Sequence, residues 1–225
     1  MKPEKFTLHT TDSVNIAASF YNPQNATRAV LLLHMMPATK ESFEPLARAI
    51  AAAGIASLAI DLRGHGGSTE KQKVGKTSGE KLDYKKFTDA DHQTSRLDVD
   101  AAINFLKKRE FEEKNISFVG ASIGANLALE SLMRYGETSH AVLLSPGLDY
   151  HSIKTELPIK ELSPTQKVWL VAAKGDAYSA DSCTKLHEIN SKNSQLTIFE
   201  GEGHGTNLFH SQPELVQNIV NFLTQ

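Results

Sequence analysis

Three side chains whose types fit nucleophilic catalysis lie far apart in this chain: Ser122, Asp176 and His204. Ser122 stands in Gly120-Ala121-Ser122-Ile123-Gly124, the only Gly-x-Ser-x-Gly in the sequence. The apolar β-type run Ile116-Ser117-Phe118-Val119 precedes it, and a helical pattern follows. A chain that passes straight from strand to helix must turn tightly. Flanking glycines remove Cβ atoms that would clash there and leave the serine exposed at the strand's end. The helix N-terminus beyond it offers unpaired N–H groups and a positive dipole end, both suited to a developing oxyanion.

A serine hydroxyl is a weak nucleophile until a base takes its proton. Of nine histidines, His204 has the most suggestive setting: Gly201-Glu202-Gly203-His204-Gly205 is a glycine-rich loop between the run Leu196–Glu200 and the last helical pattern. The acid that would orient the imidazole and stabilise its cation is expected at Asp176, which follows the run Val168–Ala172 within Lys174-Gly175-Asp176. Asp149, after the run Ala141–Ser145, is the rival, and Asp181 reads as a helix cap.

These residues need a frame that brings them together. Further β-type runs cover Phe6–Thr10, Ile16–Tyr21, Ala29–His34 and Ile55–Ile60. The first two are more polar and flank Thr11-Asp12-Ser13, which suits an antiparallel hairpin at a sheet edge. Most of the later runs are continuous apolar blocks, as in strands covered on both faces. Helical periodicity occupies Ser42–Ala53, Ser95–Arg109, the segment carrying Ile123, Leu127 and Met133, and the one carrying Leu215, Ile219 and Phe222. The alternation predicts an α/β fold: a mostly parallel central β-sheet of about eight strands with helices on both faces. One domain over 1–225 is expected.

Two stretches break the alternation. Residues 62–94 carry Lys71, Lys73, Lys76, Lys81, Lys85 and Lys86 and read as a long solvated surface connection. Residues 146–166 hold Pro146, Gly147, Pro158 and Pro164 without a clear helix. A loop of this length suggests a minimal lid or pocket wall, with Tyr150 and His151 lining the substrate entrance.

With 225 residues, 40% hydrophobic and 22% charged, and a net charge of −2, the chain has no global field directed at nucleic acid or an anionic membrane. The single Cys183 excludes an intramolecular disulfide framework and cannot alone build a metal site. The N-terminal Met-Lys-Pro-Glu-Lys-Phe-Thr lacks a signal-peptide stretch, and Ile50–Ile60 is too short to span a bilayer. A cytoplasmic location is expected, with no membrane or nucleic-acid partner. Oligomeric state is not indicated.

The order Ser122, Asp176, His204, each after a strand, resembles the α/β-hydrolase fold superfamily, over essentially the whole chain from Ala29 to the final helix. Ala29–His34 ends in a histidine before a loop, as at that family's oxyanion loop, and Asp61-Leu62-Arg63-Gly64-His65-Gly66-Gly67-Ser68 matches its Asp-x-Arg-Gly-x-Gly-x-Ser turn. Lys174-Gly175-Asp176 matches its acid position and Gly203-His204 its base. The resemblance implies an oxyanion hole from the N–H of Ile123 and one from the loop, Met36 by position with Met35 as the alternative. His34-Met35-Met36 departs from the family's common His-Gly, so this loop has less backbone freedom. Met35 is also expected in the substrate pocket. Arg63 and His65 read as structural ties of a glycine-rich turn.

The chemistry implied is acyl transfer from a small carboxylic ester through an acyl-enzyme, without metal or organic cofactor. A thioesterase, a peptidase or a carbon–carbon bond hydrolase could use the same three residues. A non-catalytic ligand receptor keeping the fold is the reading from another class.

Overall fold

A computed structural model describes residues 1–72 and 79–225. Eight longer strands carry the architecture: β1 (Glu4–His9), β2 (Val14–Tyr21), β3 (Ala29–Leu33), β4 (Ala56–Ile60), β5 (Ile116–Ala121), β6 (His140–Leu144), β7 (Lys167–Ala173) and β8 (Ser194–Phe199). They lie in the order β8-β7-β6-β5-β3-β4-β2-β1, parallel from β8 through β4, with β2 and β1 added antiparallel. The expected edge hairpin is present, as Leu8 pairs with Ile16 across the Thr11–Ser13 turn. Among the described residues, two-residue strands Glu70–Lys71 and Glu80–Lys81 extend the sheet to ten.

The helices are α1 (Glu44–Ala52), α2 (Asp89–Gln93), α3 (Arg96–Lys108), α4 (Ile123–Arg134), α5 (Glu156–Lys160), α6 (Ala177–Ile189), α7 (Leu208–Ser211) and α8 (Leu215–Leu223). Continuous apolar strands imply two covered faces, and the core divides accordingly. Leu31 and Leu33 of β3, Phe118 of β5 and Leu170 of β7 pack with residues of α3, α4 and α6. Their alternating neighbours Val30, Leu32, Val119 and Val171 pack with α1, α7 and α8. This is the α/β layering that the alternation predicts.

The two irregular stretches hold more order than their composition suggests. Arg63, near the start of the polar connection, is buried with its guanidinium on Asp98 and Asp12. His65, Ser68 and His92 are buried as well. Charge counting sees exposed lysines but not pairs 35 or 51 residues apart in sequence. Lys73 and Lys76 lie outside the described residues. Within 146–166, a small hairpin pairs Asp149–Tyr150 with Ile153–Lys154, and α5 follows. Asp181 lies inside α6 rather than capping it; Asp176 holds the N-cap position.

Candidate active site

The strand-to-helix turn after β5 holds Ser122 at φ 54°, ψ −122°. A side-chain-bearing residue pays about 1–3 kcal/mol for such a backbone, so the packing around it must impose the conformation. Two glycines make that possible. A Cβ on Gly120 would overlap the backbone of Gly124, and one on Gly124 would overlap the carbonyl oxygen of Leu33. Helix α4 can therefore press against β5 and β3 only with glycine at both positions. The N–H groups of Ala125 and Asn126 reach back to the Ser122 carbonyl. Ile123 begins α4, and the first N–H groups of a helix have no partner within it.

His204 arrives on the loop after β8, half-buried, and its Nδ1 lies 2.6 Å from Oδ2 of Asp176. The carboxylate can only accept, so Nδ1 carries a proton, and in the neutral imidazole Nε2 keeps its lone pair. Asp149, the rival acid, is exposed and turns its carboxylate onto the N–H of Ser152 in its own hairpin. The next residue, Gly205, packs closely against the core: a Cβ there would lie 3.1 Å from that of Ala121 and 2.6 Å from Met35 Sδ. The histidine loop is thus seated beside the residue preceding Ser122. Among the described residues no hydrogen bond joins Ser122 Oγ to His204 Nε2. Such contacts are often long without substrate and tighten when it binds.

Two ties that the sequence does not announce hold this rim. Ser145, at the end of β6 with φ 53°, accepts the Gly205 N–H at 2.9 Å. Asn126, fully buried in the first turn of α4, receives the Gly147 N–H at 3.0 Å and donates to the Ile153 carbonyl at 2.7 Å. The 146–166 segment is therefore bolted to the helix that Ser122 starts. Neither tie has a local signal, since the partners are 60, 21 and 27 residues apart.

On the other flank, the fully buried His34 fixes the loop after β3. The Leu62 N–H donates to its Nε2 at 2.9 Å, so the ring proton sits on Nδ1 and goes to the Met35 carbonyl at 2.8 Å. Burial pushes the His34 imidazole down to about 4, which keeps it neutral. In a trans peptide the carbonyl and the following N–H point in opposite directions. A hydrogen bond that draws the Met35 carbonyl toward His34 turns the Met36 N–H the other way. Met36 is partly buried against the cluster containing Ile123, whereas Met35 is buried in the opposite one and borders an apolar cavity of about 540 Å³ with Ala38, Thr206 and Phe209.

Tyr150 is half-buried, with its hydroxyl 3.2 Å from Ser179 Oγ. His151 faces α2 instead: it stacks on His92 at 4.0 Å and its Nδ1 lies 3.0 Å from Asp89. Cys183 is fully buried in α6, and burial pushes its thiol up, away from the reactive thiolate.

The Asp61–Ser68 turn is tied within itself and to its neighbours. Asp61 accepts from the Gly67 N–H and from the backbone and ammonium of Lys40, Ser68 donates to the Asp61 carbonyl, and Arg63 is locked on Asp98. His65 stacks on Tyr84 at 3.9 Å.

Comparison with known proteins agrees with this frame. The serine aminopeptidase S33 family matches residues 24–174, a span that includes Ser122 and stops before Asp176 and His204. A serine hydrolase-like protein of Dictyostelium discoideum is 30% identical over 125 residues, 56% of this chain and 30% of that protein. The chain thus spans less than a third of that relative's length. Among solved structures, an esterase of Pyrococcus furiosus superposes with a TM-score of 0.77 at 16% identity, covering 99% of this chain and 90% of its own. Est1E of Butyrivibrio proteoclasticus, solved with ferulic acid, gives 0.76 at 15%, covering 97% and 98%. An esterase of Exiguobacterium antarcticum gives 0.74 at 14%, covering 99% and 100%.

The fold is that of the α/β hydrolases. Within that class, the chain belongs to the serine aminopeptidase S33 family.

Proposed function

We propose that the protein is a serine esterase that cleaves small carboxylic esters through an acyl-enzyme. Ser122 attacks the carbonyl carbon while His204 Nε2 takes its proton, and Asp176 holds the imidazolium. The N–H groups of Ile123 and Met36 receive the oxyanion. His204 then protonates the departing alcohol, and water repeats the cycle on the acyl-serine. One oxyanion donor can contribute roughly 3–4 kcal/mol to the transition state. The reading is carried by the 2.6 Å His204–Asp176 bond, which leaves a basic nitrogen on a loop packed beside the strained Ser122 turn.

A small substrate is supported by the short wall 146–166, which Asn126 pins in place. The esterase neighbours and the ferulic acid bound to one of the similar structures favour short acyl or small aromatic esters. A cytoplasmic, soluble role is part of the proposal; among the described residues no helix is long and apolar enough to cross a membrane. The family's description as an aminopeptidase supports a second reading, cleavage of an aminoacyl amide on the same residues. A panel of p-nitrophenyl esters of increasing acyl length, run beside aminoacyl p-nitroanilides, separates the two. Turnover of the shorter esters that falls to background in Ser122→Ala is the expected result. Ester hydrolysis unchanged in that variant would contradict it.

A further inference from the structure

Resting on the esterase reading, we propose that Tyr150 is an additional catalytic residue whose phenolic hydroxyl donates a hydrogen bond to the ester's leaving oxygen. The sheet order gives the geometry. Strand β3, whose loop would supply Met36, lies on one side of β5, while β6, β7 and β8 lie on the other. Tyr150 follows β6 and so stands on the flank of Asp176 and His204, where the alkoxide must leave if the oxyanion faces the β3 loop.

The ring is held for this task. A Cβ on Gly147 would lie 2.7 Å from Tyr150 Cε2 and 2.7 Å from Tyr178 Cε1, so the two rings lie against bare backbone there. They meet edge-on, with centroids 5.6 Å apart. The Tyr150 hydroxyl is 3.2 Å from Ser179 Oγ, and Ser179 is fully buried. Ser179 has one proton and two takers, the Tyr150 oxygen at 3.2 Å and the Ser145 carbonyl at 3.4 Å. On the Ser145 carbonyl, it lets the phenol donate to Ser179; turned to Tyr150 when substrate binds, it leaves the phenolic proton free for the site. Burial raises the phenol above its ordinary value, with the Ser179 and Ser122 hydroxyls opposing, so it remains a donor at neutral pH.

The step balances without any transfer from tyrosine. Ser122 Oγ bonds to the carbonyl carbon and its proton passes to His204. When the bond from that carbon to the alkoxy oxygen breaks, the electron pair stays on oxygen and His204 passes the proton taken from Ser122 to it. Tyr150 keeps its proton throughout and stabilises the charge that develops before the proton arrives. By reversibility, the same hydroxyl orients the water that replaces the alcohol.

Tyr150→Phe keeps the ring and removes only the hydroxyl. For two esters of one acid, kcat/KM reports acylation. We expect roughly a hundredfold loss for the ethyl ester and about tenfold or less for the p-nitrophenyl ester, whose leaving group needs little help. Ser179→Ala should give a smaller loss with the same bias, and reports on the idea should Tyr150→Phe fold poorly. Equal losses on both esters, or none, in a variant with wild-type thermal stability would overturn the assignment while leaving Ser122 as nucleophile. Absence of Ser122-dependent hydrolysis in the wild-type protein would instead overturn the esterase reading, and this step with it.

Discussion

Two polar regions at the carboxyl ends of β4 and β5, the strands on either side of β3, have been put to opposite uses. The Asp61–Ser68 turn after β4 is rich in charge, yet its charged groups are consumed by partners, Asp61 by Lys40 and Gly67 and Arg63 by Asp98 and Asp12. Ser68 bonds the Asp61 carbonyl, and His65, stacked on Tyr84, keeps a buried Nε2 without a hydrogen bond among the described residues. Around Ser122 the reverse holds. Among the described residues His204 is bonded on one nitrogen only, and Ile123 opens a helix whose first N–H groups have no partner within it. A motif rich in ionisable residues therefore marks structure when its partners are complete. Chemistry is expected where oriented groups are left with capacity to spare.

The contrast is sharpest under substitution. Asp176→Asn should cost roughly 10⁴-fold in kcat, because the imidazole loses its tautomer and its counter-charge. Thermal stability should change little, and normal turnover would place the acid elsewhere. Arg63→Ala should act the other way. Leaving Asp98 buried and unpaired should destabilise the fold by about 3–5 kcal/mol in urea titration, with kcat of the folded protein within a few-fold of wild type. A large kcat loss at full stability would mean that the turn takes part in chemistry.

Between these extremes stands His34, a buried group serving the site at one remove. His34→Ala frees the Met35 carbonyl and should lower kcat roughly tenfold with KM nearly unchanged, less than deletion of a whole oxyanion donor. The conservative His34→Asn, which keeps a donor near the Nδ1 position, should recover part of it. Recovery no better than alanine would count against the peptide-orienting role. Ser145→Ala strands the buried Gly205 N–H and should cost about 1–2 kcal/mol in stability, with a few-fold loss of kcat as the histidine loop loosens.

The smallest effect is in pH. His34 is held down to about 4 in the folded protein against its ordinary 6.5. The unfolded chain therefore takes up the proton first, so this contribution is present above about 6.5 and lost as pH falls toward 4. Asp98, raised by burial to about 6, pulls in the opposite sense, so only a difference between variants isolates the histidine. Relative to wild type, the urea midpoint of His34→Asn should rise as pH falls from 6.5 to 4. Parallel curves would contradict the assigned shift.

Much of this frame was legible in the sequence, because its signals are local. Blocks such as Leu31–Leu33 and Val168–Ala172 can be buried on two faces only as interior strands. Gly120 and Gly124 announce the tight turn that they permit. Asp176 and His204 each follow a strand's end, where a parallel sheet gathers its loops, so the sequence marks both positions. What escaped was pairing across the fold. Nothing near Ser145 signals Gly205, nothing near Asn126 signals Ile153, and the lysines around Arg63 obscure its burial against Asp98. His151 read as pocket lining from its position beside Tyr150, yet a reversal of the chain sends it to Asp89 and His92.

The central claim is that Ser122 is activated and that no other serine is. Incubating the folded protein with a fluorophosphonate probe, then mapping the modified peptide by mass spectrometry, tests this directly. Stoichiometric labelling at Ser122, greatly slowed in His204→Ala, is the expected result. An unlabelled protein, or one modified at another serine, would contradict it.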